Sequence, residues 1–535
     1  MATALQFLSQ NISSFDAPVL ASLQAEPLSY VKEFVASLSW WKVFFTFVAL
    51  GLVYDQVAYQ IYKGNIAGPK FKVWPIIGPF MESLDPKFEE YKAKWASGPL
   101  SCVSVFHKFV VIASERDLAR KIFQSPQYVK PCVVDVAVKI LRPTNWVFLD
   151  GQAHVDYRKG LNGLFTRQAL SEYIPTLEVV MDDYLKHFKE FTADGPKVFF
   201  PEFREMMCAL SLKAFCGDYI SKDQIKKIAD DYYLVTSALE LVNFPIILPY
   251  TKTWYGKVTA DMVMKIFADC AAAAKEHIKA GGETTCVMDK WIKAMMDAKK
   301  EKELNPEKKL SLREFSNKEI SEAIFTFLFA SQDASSSLAC WIFQIVADRP
   351  DVAKKIREEQ LAVRGGDPNV PLTMELIDKM VYTNMVVKET LRYRPPVIMV
   401  PYVVKKSFPV SEGYSAPKGS MLIPTLYPAL HDPEVYENPD EFIPERWEEG
   451  SKANEAKKNW LVFGTGPHVC LGQTYVYTTF TGLLGKALMF NDLHHEVTPL
   501  SEEIKVFATI FPKDDVILSW KARDPHAPTE VPTEA

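Results

Sequence analysis

The stretch Phe463-Gly-Thr-Gly-Pro-His-Val-Cys-Leu-Gly472 decides how this chain is read. It sets one cysteine, Cys470, in a glycine-bounded loop. An aromatic residue, Phe463, stands seven positions upstream and Gly472 two positions downstream. Gly464 and Gly466 let the backbone turn where side chains would collide. Gly472 lets a following helix start close to whatever the cysteine holds, and Phe463 can keep water off the sulfur. Taken singly, a lone cysteine is usually a small buried hydrophobe and a Gly-rich loop is usually a turn. In this order the features describe one thiolate offered to a haem iron, with Cys470 as the metal ligand.

The remaining composition suits one large enzyme domain. The 535 residues would allow three or four domains by length. No Gly/Ser tract, internal repeat or low-complexity block divides the chain after its N-terminal region, so residues 80–525 are expected to form one catalytic domain. Residues 526–535 are expected to be a flexible tail. A net charge of −5 argues against a nucleic-acid partner. The eight cysteines are scattered without a CxxC pair, which fits a reducing compartment, as a thiolate ligand requires.

The N-terminal region differs. Residues 1–31 hold no Lys or Arg, and an apolar run follows over 35–62, interrupted by Lys42 and Asp55. Lys42 can snorkel beside Trp40 and Trp41, and Lys63, Lys70 and Lys72 follow. The charge bias predicts a membrane anchor over 35–62, with residues 1–34 lumenal and the catalytic domain cytosolic. A core or interfacial helix is the alternative, because the run is short for a span. The sequon Asn11-Ile-Ser13 is usable only if the N-terminus is lumenal. Residues 63–79, rich in Pro and Gly, read as a stiff connector.

The body reads as mainly α with small β-sheets. Apolar spacing predicts helices over 175–192, 222–240, 255–280 and 318–347. Strand-like runs occur at Leu100–Phe106, Phe109–Ile112, Val397–Val404, Met421–Pro424 and Val516–Trp520. The clearest helix starts at the capping box Ser316-Asn-Lys-Glu319 and stops at Asp348-Arg-Pro350. It spans about 50 Å. Its middle, Phe329-Ala-Ser-Gln-Asp-Ala-Ser-Ser-Ser337, sets four serines and an acid in an apolar rod. Such groups face something polar, bond back to the helix, or border a reactive centre.

The cysteine loop resembles the haem-binding loop of the cytochrome P-450 family, usually Phe-x-x-Gly-x-Arg-x-Cys-x-Gly. His468 stands where that family usually has Arg. The resemblance implies the cytochrome P-450 fold and haem b with an axial cysteine thiolate. It also implies that Phe463, Gly466, His468 and Gly472 contact the cofactor, with His468 on a propionate. Ala330 and Asp333 match the family's oxygen-binding motif, Ala334 falls where a Thr is usual, and Ser335 keeps the next hydroxyl. Asp333 is then a proton carrier, through water, Ser335 or Ser331, and burial is expected to make it a better one. Glu389-Thr-Leu-Arg392 and Phe442-Ile-Pro-Glu-Arg-Trp447 resemble the family's buried scaffold, joining Arg446 to Glu389 and Arg392. His154-Val-Asp-Tyr-Arg158 resembles a Trp-x-x-x-Arg segment, making Arg158 a second propionate partner.

The resemblance covers the whole chain and is strongest to the fungal sterol C-22 desaturases, in Phe329–Ser337, Arg394–Pro401 and Gly464–Tyr475. It implies conversion of the C-22/C-23 single bond of a sterol side chain to a trans alkene in ergosterol synthesis. It also implies a place at the endoplasmic reticulum membrane. With no flavin or nicotinamide motif in the chain, electrons are expected from an NADPH-dependent flavoprotein reductase; Arg167, Lys457 and Lys458 either attract its acidic surface or are plain solvated charge. Val397, Met399, Thr509, Ile510 and Phe511 are expected to line the substrate pocket. The apolar loop Leu241–Tyr250 either dips into the bilayer or packs internally. The rival readings are a sterol 14α-demethylase, usually His-Thr at Asp333-Ala334, and a haem-thiolate lipid hydroperoxide isomerase, which needs no reductase.

Overall fold

The computed structural model describes residues 40–529 except 73–77, 79–85, 106–107, 133–134, 240–245, 308–309, 311 and 508. Residues 1–34 with their sequon, Trp74–Ile77 and Pro79 of the connector, Leu241–Pro245 of the apolar loop and residues 530–535 therefore lie outside it.

Helix α1, Trp40–Lys63, is long and apolar enough to cross a membrane. Its N-terminal half is bare: Trp40, Phe44, Phe47 and Leu50 are exposed. Its C-terminal half is docked. Asp55 pairs with buried Lys72 at 3.0 Å, Gln56 exchanges two hydrogen bonds with the Lys72 backbone, and Tyr59 Oη donates to Pro69 O at 2.8 Å. The charge that interrupts the apolar run is thus an attachment point. The start of the connector also lies on the domain, where the Cys102 N–H donates to Ala67 O at 2.8 Å.

The helices that frame the centre are α2 (Gly151–Asn162), α3 (Arg167–Phe191), α4 (Phe200–Cys216), α5 (Lys222–Leu239), α6 (Lys252–Lys279), α7 (Asn317–Asp348), α8 (Val381–Tyr393) and α9 (Gln473–Phe490). Helix α7 forms as expected. Ser316 Oγ accepts from the Glu319 N–H at 3.2 Å, the Ser316 N–H donates to Glu319 Oε2 at 2.9 Å, and the helix ends at Asp348 with Pro350 opening the next. Helix α3 begins eight residues before the expected start at Pro175, because Thr166 caps it and the proline is carried inside. Helix α4, absent from the periodicity reading, packs on α3, α5 and α7 and is buried nearly all round, which erases an amphipathic signal.

A five-stranded sheet lies beside this bundle. Its strands are β1 (Leu100–Val105), β2 (Lys108–Ala113), β3 (Val129–Pro131), β4 (Tyr402–Val404) and β5 (Met421–Pro424), in the order β1-β2-β5-β4-β3. Only Tyr402–Val404 of the expected Val397–Val404 run is strand. Pro401 has no N–H to give a ladder, and upstream of it only an isolated bridge joins Met399 to Thr425. A hairpin, β6 (Ile504–Phe507) and β7 (Thr509–Pro512), reaches α7. The last expected strand starts at Ile517, after Asp515 and Val516 take positive φ. Residues 526–529 belong with the domain: Thr529 Oγ1 accepts from Arg357 and Arg523, both at 3.2 Å.

Candidate active site

The cysteine loop leaves buried Leu461 and enters α9. The Cys470 N–H donates to Phe463 O at 2.9 Å and closes it. Gly464 and Gly466 take φ of 67° and 78°, and a Cβ on Gly466 would sit 2.5 Å from Phe123 O. Gly466 is therefore fixed by conformation and by contact. Gly472 has ordinary φ; a Cβ there would lie 3.9 Å from the Cys470 sulfur, so its smallness leaves room beside the ligand atom. Phe463 is half-buried against Tyr477, with ring centroids 5.6 Å apart.

Cys470 is exposed, whereas six of the other cysteines are buried. Surrounding protein nevertheless pushes its thiol pKa up by desolvation, against the Gly472 N–H and Arg158, which pull it down. The sulfur is thus accessible yet hemmed by protein. A cation at the sulfur would outweigh the desolvation and hold it as thiolate. Helix α7 shows a second uncovered interior surface: its turns are buried on either side, yet Ala330 is exposed and Phe329, Ser331 and Ala334 are half-buried. Ala330 and Ala334 share a face, and their methyl groups leave it flat.

Polar atoms wait at the edge of this space. Arg158, on α2, is half-buried and donates to Val469 O. His154, one turn earlier, is buried with Nε2 unpartnered. Its ring lies 4.0 Å from that of His468. Burial first, then His154 and Arg158, push the His468 pKa down to about 4, so it is neutral in the protein alone. A neutral imidazole donor, an orphaned imidazole nitrogen and a guanidinium suit the carboxylates of haem propionates. With the flat alanine face and the accessible sulfur, the residues fit a thiolate-bound haem.

Asp333 departs from expectation. Its carboxylate accepts from Arg204 of α4 and, at 2.9 Å, from Thr236 Oγ1 of α5. Sequence reading took it as a buried acid able to carry protons; the structure makes it half of a buried ion pair. Around the pair, Arg204 Nη2, Tyr232 Oη and Gln332 Oε1 are buried without partners. Ser335 is buried. Ser336 bonds back to Gln332 O at 2.6 Å and Ser337 donates to Ile510 O, so part of the serine run serves packing. Thr509 Oγ1 donates to Asp333 O at 3.3 Å, tying β7 to α7.

The expected pocket residues divide. Val397 and Met399 are half-buried. Thr509, Ile510 and Phe511 are buried; Ile510 packs into a separate apolar cluster with Phe88 and Ile398, and Phe511 turns its ring to Phe200 at 4.8 Å. Ile510 and Phe511 are core residues that hold β7, because both faces of that short strand are covered. Arg167, expected to meet a reductase, is engaged with Asp378 at 2.9 Å.

The scaffold forms in full. Arg392 donates to both Glu389 oxygens at 3.0 and 2.9 Å, and Arg446 Nε donates to Oε1 at 3.1 Å. Trp447 Nε1 and the Ile443 N–H, which sequence reading missed, supply two more donors at 2.9 and 3.1 Å. The spare Arg392 donors go to Leu430, Pro439 and Glu441 carbonyls.

A sequence model of the family described as Cytochrome P450 matches residues 69–485. The chain belongs to the cytochrome P450 family. A C-22 sterol desaturase, ERG5, of Saccharomyces cerevisiae is 73% identical to this P450 over 492 residues, 91% of each chain. The C-22 sterol desaturase ERG5 of Candida albicans is 70% identical over 482 residues, 90% of this chain and 93% of that one. A solved structure, retinoic-acid-bound cyanobacterial CYP120A1, aligns with TM-score 0.72 at 19% identity, covering 84% of this chain and 98% of that one; it bears on the fold alone.

Proposed function

We propose that this P450 introduces the C-22(23) double bond of a sterol side chain in ergosterol biosynthesis. The observation that carries the reading is the 73% identity to a C-22 sterol desaturase across nine-tenths of both chains. In the overall reaction, –CH2–CH2–, dioxygen, NADPH and one proton give –CH=CH–, two waters and NADP+. Two hydrogens leave adjacent side-chain carbons and no oxygen stays on the sterol.

Bound under a cysteine thiolate, haem supplies dioxygen reduction and hydrogen abstraction from unactivated carbon. The protein's tasks follow from its residues. Cys470 would ligate iron; Phe463, Gly466 and Gly472 shape the ligand loop; Arg158, His154 and His468 would hold propionates. Ala330 and Ala334 would leave room at the bound haem for a side chain entering tail-first, past Val397 and Met399. Arg204 and Thr236 hold the Asp333 carboxylate, which manages the charge of incoming protons.

Electrons come from an NADPH-dependent reductase on the same membrane, and Lys457 and Lys458 are candidates to meet it. The anchor is assigned to 35–62, its bare N-terminal part in the endoplasmic reticulum membrane and its docked end at the membrane surface, with 1–34 lumenal, 63–79 as connector and 80–525 cytosolic. Exposed Ile246, Leu248 and Tyr250 suit contact with the bilayer from which a sterol enters.

The test is incubation of the purified protein with reductase, NADPH and a sterol saturated at C-22. The expected product is lighter by two hydrogens with its new double bond at C-22. Loss of a C-14 methyl group, or conversion of lipid hydroperoxides without NADPH, would overturn the reading.

A further inference from the structure

Helix α1 changes character along its length, and the division falls near Leu52. Before it the helix is bare: Trp40, Phe44, Phe47 and Leu50 are all more than half exposed. Beyond it one face is covered and the other is not. Asp55, Gln56 and Tyr59 point to the domain, where they meet the buried Lys72 side chain, the Lys72 backbone and Pro69 O. Tyr59 and Tyr62 set their rings on Phe109 of β2, with centroids 6.0 and 5.7 Å away, and the Tyr62 carbonyl accepts from Tyr414 Oη at 3.0 Å. The opposite face carries Val53, Val57 and Ile61, one helical turn apart and 60%, 51% and 71% exposed. Phe71, beside buried Lys72 in the connector, is 67% exposed.

This apolar stripe is continuous with the bare half, and helix length says what covers it. With Trp40 and Trp41 at one membrane interface, Trp40–Gly51 rises only about 18 Å, whereas the hydrocarbon layer is about 30 Å thick. Trp40–Ile61 rises about 33 Å and closes the gap. The helix reaches across only if its docked half meets the layer too, with the outer stripe toward lipid and the inner face toward protein. An acid at that depth is tolerable because a lysine answers it within the protein. The ties are several and close together, so the junction between anchor and domain is no swivel.

We propose that the docked half of α1 is a rigid strut seated in the acyl–headgroup boundary of a lipid bilayer. Val53, Val57, Ile61 and Phe71 touch lipid, and the Asp55–Lys72 pair with Tyr59 fixes the haem domain at one depth and one tilt. The connector does not set this geometry; the strut does. The proposal rests on the reading of α1 as a membrane anchor.

The experiment uses the full-length haem protein in phosphatidylcholine bilayers, and its first arm maps lipid contact. The photo-crosslinker benzoylphenylalanine replaces, one at a time, Phe47 of the bare half, Val57, Ile61, Phe71, and Val497 as an exposed apolar site elsewhere. Lipid adducts, read by mass, are expected at the first four sites and not at Val497. Adducts at Phe47 alone overturn the proposal while the anchor reading stands. Crosslinks from Val57 and Ile61 to a second copy of the chain overturn it too, by making the stripe a dimer contact. Equal adducts at Val497 overturn it because the stripe is then no better seated than any exposed site. No adduct even at Phe47 removes the anchor reading and the strut with it.

The second arm tests the clamp. Haem absorbs light polarised in its plane, so linear dichroism in aligned bilayers reports the tilt of that plane and its spread. The parent is expected to show one narrow tilt. Asp55→Leu with Lys72→Met removes both charges together and strands neither, and Tyr59→Phe removes the next tie. In this triple variant haem content is expected to be kept. The dichroism is expected to fall at least about twofold, since a domain without such ties moves on its linker. Parent-like dichroism in the triple variant, or a parent without dichroism, overturns the rigid strut.

Discussion

Two buried arginine–carboxylate sites bracket the centre, and they are built differently. At Glu389 both oxygens are filled, by Arg392, Arg446, Trp447 and a backbone N–H, and the spare Arg392 donors go to carbonyls. At Asp333 the ion pair with Arg204 is hemmed by Arg204 Nη2, Tyr232 Oη and Gln332 Oε1, none with a partner. A saturated network has nothing left to exchange and holds the fold. A network with open valences in a dry interior is where ordered water settles, and water moves protons.

The contrast breaks most sharply at the scaffold. Glu389→Gln leaves two buried guanidinium groups without a counter-charge, which costs about 3–5 kcal/mol. Haem and tertiary structure are expected to be lost together, read by haem content and a thermal melt. Retention of both would make the saturated network ornamental.

The next effect belongs to the distal pair and is catalytic. Removing both charges together, Arg204→Met with Asp333→Leu, avoids an unpaired buried ion, so haem content and melting temperature stay near those of the parent. Product formed per NADPH is expected to fall about tenfold or more. Parent-like coupling in the double variant would place proton supply elsewhere. Asp333→Asn alone is expected to be less stable than the double variant, because it strands Arg204.

The smallest effect is a pH dependence at the scaffold's rim. His431 stacks on Tyr427, with Nδ1 3.0 Å from Tyr427 O. Burial, then Arg392, push its pKa down to about 3. The unfolded chain takes up its proton near the usual value of about 6.5. Stability from neutral His431 is therefore fully present above about pH 6.5 and is lost as pH falls toward 3. For a ring partly open to solvent, about 1 kcal/mol is expected to be lost between pH 7 and pH 5. Urea titrations of the parent and His431→Phe should show the slope flattened in the variant; equal slopes would remove His431 from the account.

Local signals carried much of this structure. The capping box at Ser316, the stop at Pro350, the cysteine loop and the Glu389/Arg392 pair all sit within a few residues of their partners or in unusual composition. Arg204 was invisible for the opposite reasons. It lies on α4, a helix without a polar face, and its partner is 129 positions away in sequence. Nothing in either segment announces the other. Ile510 and Phe511 are buried, and an apolar strand beside a pocket and one beneath it read alike in sequence. The two histidines His154 and His468 each looked like a lone departure from a motif; only the fold shows that they meet.

The central claim is that the Cys470 sulfur holds the haem iron, and the carbon monoxide difference spectrum of the reduced protein tests it most directly. The parent is expected to show the long-wavelength carbonyl band from which the family takes its name, and Cys470→Ser is expected to lose it while His154→Ala keeps it. A parent protein without that band after haem supplementation, or a Cys470→Ser variant that retains it, would contradict the account.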